Sequence, residues 1–367
     1  MIQSSALLHP ATAPANPIPF ALIGWGWRAQ QFAAIAVRAP HWFRLTGILR
    51  QKPDGTEPAS TVTSLDRLLQ TEPQFVVVSV PRATAAELTL ELARRGVPVL
   101  TETPPAEDLA GLRHLWSALP ADARVQVAEQ YALQPYHMAA AAIARSGRLG
   151  QITHVQASVA HDYHGFALIR HFLGVGRTPL KLNASHMTAP IVAGPGRDGP
   201  PTTEILRAST QWVGLLDFGS DRTAVYDFTN DQYFSWIRSS RLLIRGERGE
   251  LADDTVRWLP SFDTPARQQL TRFDGGAKTN LQGIAHQGYA LGEDWLYRNP
   301  FGPIPLPDDF IAMASVLWSM HHYLETGESF YSLADGCHDH AIGLLMREAA
   351  TTGTELELTG LPWMDAS

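Results

Sequence analysis

The first third of the chain alternates short apolar runs with longer segments whose apolar residues recur every three or four positions. The apolar runs include PFALI at 19–23, FVVV at 75–78 and VPVL at 97–100. Such runs are typical of strands that are buried on both faces of a sheet. The segments between them, such as ATAAELTLELARR at 83–95, have the periodicity of amphipathic helices. The pattern predicts a Rossmann-type, doubly wound parallel sheet, and so an α/β fold class.

Beyond the first third, longer strand-like segments replace this alternation. STQWVGLLDF at 209–218 and RTAVYDFT at 222–229 are examples, and glycine-containing turns separate such segments. Two helical patterns follow at 309–327 and 334–353. We therefore expect a C-terminal α+β domain with a large, mostly antiparallel sheet.

These patterns predict three parts of the chain: an N-terminal arm at 1–19, a dinucleotide-binding domain at 20–132 and a substrate and oligomerisation domain at 133–367. The arm has no basic region and no sustained apolar stretch, so it does not resemble a secretory signal. Its Pro and Ala content predicts a flexible segment. The Gly- and Pro-rich stretch 175–203 predicts a long loop.

A glycine-rich turn joins the first predicted strand to the first helix. Residues 24–29 read GWGWRA, which has the spacing G-x-G-x-x-A. In a dinucleotide-binding turn the first glycine permits the tight bend, the second lets backbone approach a pyrophosphate, and the small last residue lets the helix pack on the strand. The residues that this pattern predicts to bind a nicotinamide dinucleotide are Gly24, Trp25, Gly26, Trp27 and Arg28.

Further contacts are predicted where the neighbouring parallel strands end, because ligands of such sheets bind beyond the carboxyl ends of the strands. The residues placed there are Arg50, 79–82, 101–103 and 129–131, which include Ser79, Pro81, Arg82, Glu102, Thr103, Glu129, Gln130 and Tyr131. Arg50 stands where an NAD-binding fold usually has an acidic residue. A cation at this position suits a 2′-phosphate, so NADP is favoured over NAD. The alternatives are that Arg50 stacks on the adenine or is solvated.

Composition narrows the class of protein. Hydrophobic residues make up 45% of the 367 and charged residues 18%, as in ordinary soluble globular proteins. The formal charge of −7 argues against nucleic acid or a membrane surface as a partner. The single cysteine, Cys337, excludes an internal disulfide and fits the cytoplasm. We expect a cytoplasmic protein that acts on a small molecule.

In their order, these segments resemble the Gfo/Idh/MocA oxidoreductases, the family of glucose–fructose oxidoreductase and inositol dehydrogenase. Residues 22–29 are similar to the family's opening fingerprint, and 75–104 to its strand, proline turn, helix and strand ending in Glu-Lys-Pro. Residues 144–157 are similar to its entry into the second domain, and 242–251 to its Tyr-Gly-Thr-Glu-Gly strand and turn. The resemblance covers about residues 20–358. It implies hydride transfer between NAD(P) and a sugar, cyclitol or related carbon, in a homodimer or homotetramer.

The family's proton-transfer groups are only partly matched. The family typically uses the lysine of Glu-Lys-Pro, together with an aspartate and a histidine four residues apart. Glu102 and Pro104 match the first motif, but Thr103 stands at the position of the lysine. A threonine hydroxyl can hydrogen-bond a substrate but does not titrate near neutral pH.

The stretch HDYHGFALIRH, which follows Ala160, is dense in groups that carry chemistry. Aligning the FLG at 172–174 with the family pattern places His164 at the histidine and Ala160 at the aspartate. His164 is therefore the predicted general acid or base, since imidazole titrates near neutrality. The alternative is a substrate-binding or structural histidine. Asp162 and His161 are candidates that could replace part of the missing aspartate.

Other residues are predicted to contact substrate or cofactor. Thr103, Tyr131 and Tyr163 are expected at the substrate, with packing as the alternative for Tyr163. Arg170 could clamp an anionic substrate group, and a salt bridge on the helix surface is the alternative. Gln130 falls where the family commonly has an asparagine that contacts the nicotinamide ribose.

No metal site is predicted. The stretch GCHDHAIG at 336–343 offers a thiol, two imidazoles and a carboxylate, but nearly consecutive helical positions suit one metal poorly. Polar residues at the start of a helix explain the stretch better.

Three functional hypotheses follow. The first is an NAD(P)-dependent oxidoreductase that acts on a sugar, sugar acid or polyol. The second is a nucleotide-binding pseudo-enzyme, a sensor or scaffold without dehydrogenase turnover, which Thr103 and Ala160 motivate. The third is an imine or enone reductase with a different proton donor, for which the lysine is dispensable.

Overall fold

A parallel sheet forms the centre of the N-terminal part of the chain. Its six strands are ordered β3-β2-β1-β4-β5-β6. The strands are β1 (Ile18–Ile23), β2 (Phe43–Leu49), β3 (Thr61–Val62), β4 (Phe75–Val78), β5 (Val99–Thr101) and β6 (Val125–Val127). All four residues of β4 are buried, as expected for a central strand that is covered on both faces. This computed structural model describes residues 13–276 and 283–366.

Helices connect these strands and continue into the rest of the chain. They are α1 (Trp27–Arg38), α2 (Leu65–Leu69), α3 (Arg82–Arg94), α4 (Leu109–Ala118), α5 (Pro135–Arg145), α6 (Asp162–Leu173), α7 (Asp308–Thr326) and α8 (Leu333–Thr352). The ends of several helices follow from local chemistry. The carboxylate of Asp108 caps α4 by accepting a hydrogen bond from Gly111 N at 2.8 Å. Gly96 and Gly327 adopt positive φ after α3 and α7.

A second, larger sheet is mixed and mostly antiparallel. Its strand order includes β14-β13-β12-β11-β7-β10-β9-β8-β17. The strands are β7 (Ile152–Ser158), β8 (Leu180–Val192), β9 (Leu206–Asp217), β10 (Thr223–Thr229), β11 (Arg241–Gly246), β12 (Gly249–Ala252), β13 (Thr255–Ser261), β14 (Thr264–Gly275) and β17 (Leu356–Leu358). A further hairpin consists of β15 (Ala285–Leu291) and β16 (Asp294–Arg298). β7 and β10 pair in parallel. The two sheets confirm the predicted fold class.

The described residues divide into two compact units. The first unit combines the chain up to Ala139 with Arg272–Cys337, and the second combines Ala140–Thr271 with the chain from His338 onward. The predicted limits at residues 20, 132 and 133 stay predictions, and residues 1–12 of the predicted arm lie outside the described residues. Within the described ranges, no helix has the length and apolar character needed to cross a membrane.

The predicted loop at 175–203 is wrong over 180–192, where the chain forms β8. β8 is a strand of 13 residues that pairs with β9 from Lys181 to Val192. In β8, Leu180, Leu182 and Ile191 are buried, and most of the other side chains are exposed. Backbone pairing with β9 stabilises the strand although few of its side chains are buried. The pattern of apolar residues was therefore too weak to predict it.

Candidate functional site

The glycine turn after β1 has the backbone geometry that its sequence predicts. Gly24 adopts a φ of +104°, and a Cβ atom at this position would lie 2.1 Å from the carbonyl oxygen of Ser79. Gly24 therefore cannot carry a side chain. A Cβ atom at Gly26, the residue before α1, would meet nothing within 4 Å. This open space beside the N-terminus of α1 fits a pyrophosphate, because the free N–H groups of a helix start bind anions.

Ser79, another predicted cofactor contact, lies against this turn in the first unit. Ser79 follows β4 and donates its N–H to Ile23 O at 3.0 Å, Pro81 precedes α3, and Arg82 is the first residue of α3. Trp25 donates its indole N–H to the hydroxyl of Thr56 at 3.1 Å. The structure thus brings the ends of β1 and β4 together, as the sequence predicted.

Arg28 connects the first turn of α1 to the ends of β5 and β6. Its guanidinium lies over the ring of Trp27 at 4.9 Å, and its Nε is 4.0 Å from Oε1 of Glu102. With the amide oxygen of Gln130 turned toward it, Arg28 donates to that oxygen from both terminal nitrogens, at 3.1 and 3.2 Å. Glu102 accepts a hydrogen bond from the backbone N–H of Thr103 at 3.2 Å. Four predicted site residues are therefore close together: Arg28, Glu102, Thr103 and Gln130.

Glu129, which the sequence places at these strand ends without a specific role, is a buried acid beside this group. It follows β6 and accepts a hydrogen bond from the backbone N–H of Tyr131 at 2.9 Å. Burial raises the pKa of Glu129 to about 8, although Tyr131 and Arg28 act in the opposite direction. Burial also raises the pKa of Glu102, against the effect of Arg28. A carboxyl group of this kind can exchange a proton near neutral pH. An acid directly after an apolar strand was the signal available in the sequence.

Tyr131 opens a one-turn 3₁₀ helix after β6 and is largely buried. Its carbonyl oxygen is 2.6 Å from Nδ1 of the buried His137. Burial lowers the pKa of His137 to about 4. His137 is therefore neutral at physiological pH and donates from Nδ1 to this carbonyl. This contact fixes the chain that leaves β6.

Arg50, the predicted ligand of a 2′-phosphate, is paired with two carboxylates. Its Nη1 lies 2.5 Å from Oε1 of Glu57, and its Nη2 lies 2.9 Å from Oδ2 of Asp54. Hydrogen bonds to Asp54 and Glu57 raise the pKa of Arg50. The hydrogen bond from Arg50 also lowers the pKa of Asp54, so the pairs are ionic.

The predicted catalytic residues His161, Asp162 and His164 lie at the start of α6 in the second unit. Nδ1 of His161 is 2.5 Å from the hydroxyl of Tyr233, and its Nε2 is 3.0 Å from the hydroxyl of Tyr163. The ring of His164 lies 4.4 Å from that of Tyr163 and 5.0 Å from that of His161, between ring centres. We call His161, Tyr163, His164 and Tyr233 the histidine cluster. Its hydrogen bonds link an imidazole to two phenols, and a neutral imidazole must donate at one nitrogen and accept at the other.

Asp162 is held at the first residue of α6. Its carboxylate is paired with Arg347 at 2.5 Å, and its backbone N–H donates to the hydroxyl of Tyr226 at 2.8 Å. Gly165 packs so tightly that a Cβ atom would lie 2.5 Å from the ring of Tyr226. Ala160, just before the cluster, is fully buried. These contacts fix the backbone that presents the histidine cluster.

Arg170 forms a buried ion pair rather than an exposed one. Its Nη1 lies 2.7 Å from Oδ1 of Asp339, and both side chains are at most 4% exposed. Its Nε donates to Gly176 O at 3.0 Å. The geometry favours the salt-bridge interpretation of Arg170, although the pair is buried rather than on the helix surface. A role of Arg170 in substrate binding stays a prediction.

The stretch at 336–343 lies in α8, which begins at Leu333. Cys337, His338, Asp339 and His340 lie in α8 and are buried. Burial raises the pKa of the Cys337 thiol. Helix packing therefore encloses these side chains, a setting that their polarity alone does not suggest. Among residues 13–276 and 283–366, no three His, Cys, Asp or Glu side chains are placed to hold a metal ion together.

Comparison with known proteins agrees with this geometry. Residues 18–130 match the model of the Gfo/Idh/MocA family, described as an oxidoreductase family with an NAD-binding Rossmann fold. This part of the chain is therefore similar to the NAD-binding domains of that family. The recognition made from the sequence is confirmed. No curated protein matches the sequence significantly.

The fold of nearly the whole chain is shared with solved dehydrogenases. A levoglucosan dehydrogenase in complex with NADH is 16% identical, with a TM-score of 0.66 over 94% of this chain and 100% of that chain. A myo-inositol dehydrogenase from Corynebacterium glutamicum is 17% identical, with a TM-score of 0.63 over 94% and 99%. An aldose–aldose oxidoreductase from Caulobacter crescentus, complexed with glycerol, is 18% identical, with a TM-score of 0.60 over 94% and 100%.

Proposed function

We propose that this protein is a nicotinamide-dependent dehydrogenase that moves hydride to or from an oxygen-bearing carbon of a sugar, sugar acid or polyol. The observation that carries this proposal is the turn at Gly24 and Gly26, in a domain that matches an NAD-binding family. Structural neighbours named for levoglucosan and myo-inositol support the substrate class. A homodimer or homotetramer and a cytoplasmic location stay predictions.

The residues present fit a dinucleotide. The backbone around Gly24, Gly26 and the start of α1 would hold the pyrophosphate, and Trp25 and Ser79 would flank it. The bound cofactor would supply the hydride acceptor or donor. The chain itself must supply charge and proton transfer at the substrate oxygen.

Each unit offers a candidate for one of these tasks, and we propose each candidate by itself. By the family resemblance Thr103 occupies the position of the lysine, and Arg28 places a guanidinium beside the neighbouring Glu102. An arginine keeps its charge, so it can stabilise a negative oxygen but does not exchange a proton. His164 is the proposed proton-transfer group. His161 is the proposed positioning residue, because both of its nitrogens are held by phenols.

The pseudo-enzyme alternative is favoured by two observations in the second unit. Ala160, aligned with the family aspartate, is buried and has no ionisable group. Asp162, its nearest carboxylate in the sequence, is already paired with Arg347. A protein with these features could bind nucleotide without turnover.

Calorimetry with NADH and NADPH, followed by oxidation assays on a panel of sugars, sugar acids and polyols, separates the two proposals. We expect nucleotide binding and turnover of at least one polyol. Binding without turnover on the whole panel would support the pseudo-enzyme. If neither nucleotide binds, both proposals fail.

On an active substrate, His164→Ala should lower kcat about 10²–10⁴-fold without changing nucleotide affinity. His154→Ala is the matched control, because His154 lies on β7 and contacts Thr223 outside the histidine cluster. Full turnover of His164→Ala would remove His164 from the proposed chemistry. Retention of the pH–rate profile in His161→Ala would remove the positioning role of His161.

A further inference from the structure

The segment 51–57, which follows β2, folds back so that Asp54 and Glu57 contact Arg50. Glu57 is only 3% exposed at its side chain and accepts hydrogen bonds from the backbone N–H groups of Gly55 and Asp54, at 2.9 and 3.3 Å. Asp54 accepts from the hydroxyl and the backbone N–H of Thr56, at 2.6 and 3.1 Å. Both carboxylates are therefore held in place by hydrogen bonds that do not involve Arg50.

The same segment is attached to the glycine turn. The hydroxyl of Thr56 accepts a hydrogen bond from the indole N–H of Trp25 at 3.1 Å. Gly24 N donates to Leu49 O at 3.1 Å, one residue before Arg50. The end of β2 beside this turn is where a Rossmann domain meets the ribose of the adenosine. The Arg50 group thus lies at the part of the site that distinguishes a 2′-hydroxyl from a 2′-phosphate.

An arginine that binds a 2′-phosphate must offer free N–H donors and positive charge. Both terminal nitrogens of Arg50 already contact carboxylates. One guanidinium between two carboxylates leaves a net negative group, which repels a phosphate. Asp54 is half-exposed, so ribose hydroxyls can reach its carboxylate. Glu57 is buried, and its effect on the cofactor is to hold Arg50 in place.

We propose that Asp54 and Glu57 make this protein selective for NAD(H) by holding Arg50 in two ion pairs. This differs from the preference for NADP that the sequence suggested from Arg50 alone. The proposal rests on the proposed function, because it requires that the protein binds a nicotinamide dinucleotide. Glu57 is in this view a positioning residue, and Arg50 would be a phosphate ligand if it were released.

The test measures the dissociation constants of NADH and NADPH by calorimetry with the full chain. The variants are Asp54→Asn, Glu57→Gln, the double variant, and the double variant with Arg50→Met. We expect the wild-type protein to bind NADH at least about tenfold more tightly than NADPH. The double variant should shift the ratio of the two constants toward NADPH by about tenfold or more. Arg50→Met should cancel that shift.

If Asp54 and Glu57 had a purely structural role, their substitution would weaken the binding of both nucleotides alike. The ratio of the two dissociation constants therefore separates selectivity from a structural role. Glu91→Gln is the matched control, since Glu91 lies on α3 and pairs with Arg95 at 2.6 Å; it should leave the ratio unchanged. If Glu57→Gln fails to fold, Asp54→Asn alone should shift the ratio in the same direction. A wild-type preference for NADPH, or an unchanged ratio in the folded variants, overturns the proposal. Absence of binding by either nucleotide overturns the proposed function itself.

Discussion

The glycine turn of the first unit and the histidine cluster of the second unit are built in different ways. The turn consists of consecutive residues, and its shape depends on the backbone of Gly24 and Gly26. The histidine cluster depends on side chains, and its contact between His161 and Tyr233 joins residues 72 positions apart. A backbone feature of this kind is specified locally, whereas a side-chain cluster requires that the whole unit folds.

The largest expected effect is the loss of nucleotide binding after alanine substitutions in the glycine turn. Gly24→Ala would impose a φ of +104° on alanine and a contact of 2.1 Å with Ser79 O. We expect a loss of about 3 kcal/mol of unfolding free energy and no measurable nucleotide binding. Gly26→Ala meets open space, so its stability should stay near wild type while nucleotide affinity falls at least about 100-fold. Urea unfolding and calorimetry measure both quantities.

Gly96→Ala is the control for these variants. Gly96 has a φ of +71° after α3, with nothing within 4 Å of a Cβ atom. Its substitution should cost about 1 kcal/mol and leave nucleotide affinity unchanged. Wild-type affinity in Gly26→Ala would show that the pyrophosphate does not approach this turn.

The next effect tests the packing of α6, which presents the histidine cluster. Asp339→Asn leaves the buried guanidinium of Arg170 without its carboxylate. We expect a loss of about 3–5 kcal/mol of unfolding free energy, measured by urea unfolding. Asp66→Asn breaks the exposed pair of Asp66 and Arg95 and should cost at most about 1 kcal/mol. Equal costs for the two variants would contradict a structural role of the buried pair.

The smallest effect concerns Glu129, the buried acid near the glycine turn. Its pKa is about 8 in the folded protein and near its ordinary value of 4.5 in the unfolded chain. Above pH 4.5 the unfolded state releases the proton first, so this group's stabilising contribution is lost as pH rises toward about 8. Glu129→Gln should remove this group's share of the fall in unfolding free energy, which is on the order of a few kcal/mol between pH 5 and pH 8.

Thermal unfolding at pH 5 and pH 8 measures this effect. Burial also raises the pKa of Glu102, so Glu102 too makes stability fall as pH rises. The stability of Glu129→Gln should therefore depend less on pH than that of the wild type, but should still fall. Glu91→Gln, with an exposed carboxylate, should follow the wild-type curve. An unchanged slope in Glu129→Gln would mean that Glu129 is ionised in the folded protein at pH 5.

The parallel sheet was predictable because its signals are local and strong. The run at 75–78 is wholly apolar and became the central strand β4. The long strand β8 was missed, because its side chains are mostly exposed and its stability comes from pairing with β9. The burial of Cys337, His338, Asp339 and His340 was not predicted, because nothing in the stretch 336–343 shows that neighbouring elements bury it.

The sequence by itself determined the glycine turn, the alternation that builds the parallel sheet, and the resemblance to a family of dehydrogenases. Each of these depends on residues that are close in the chain, so short-range sterics and periodicity suffice to specify them. Only the tertiary structure decided that Arg50 is held by Asp54 and Glu57, that Arg28 lies beside Glu102, and that Glu129 is buried enough to titrate near pH 8. The sequence shows which side chains are ionisable, but their partners and their solvation depend on the fold.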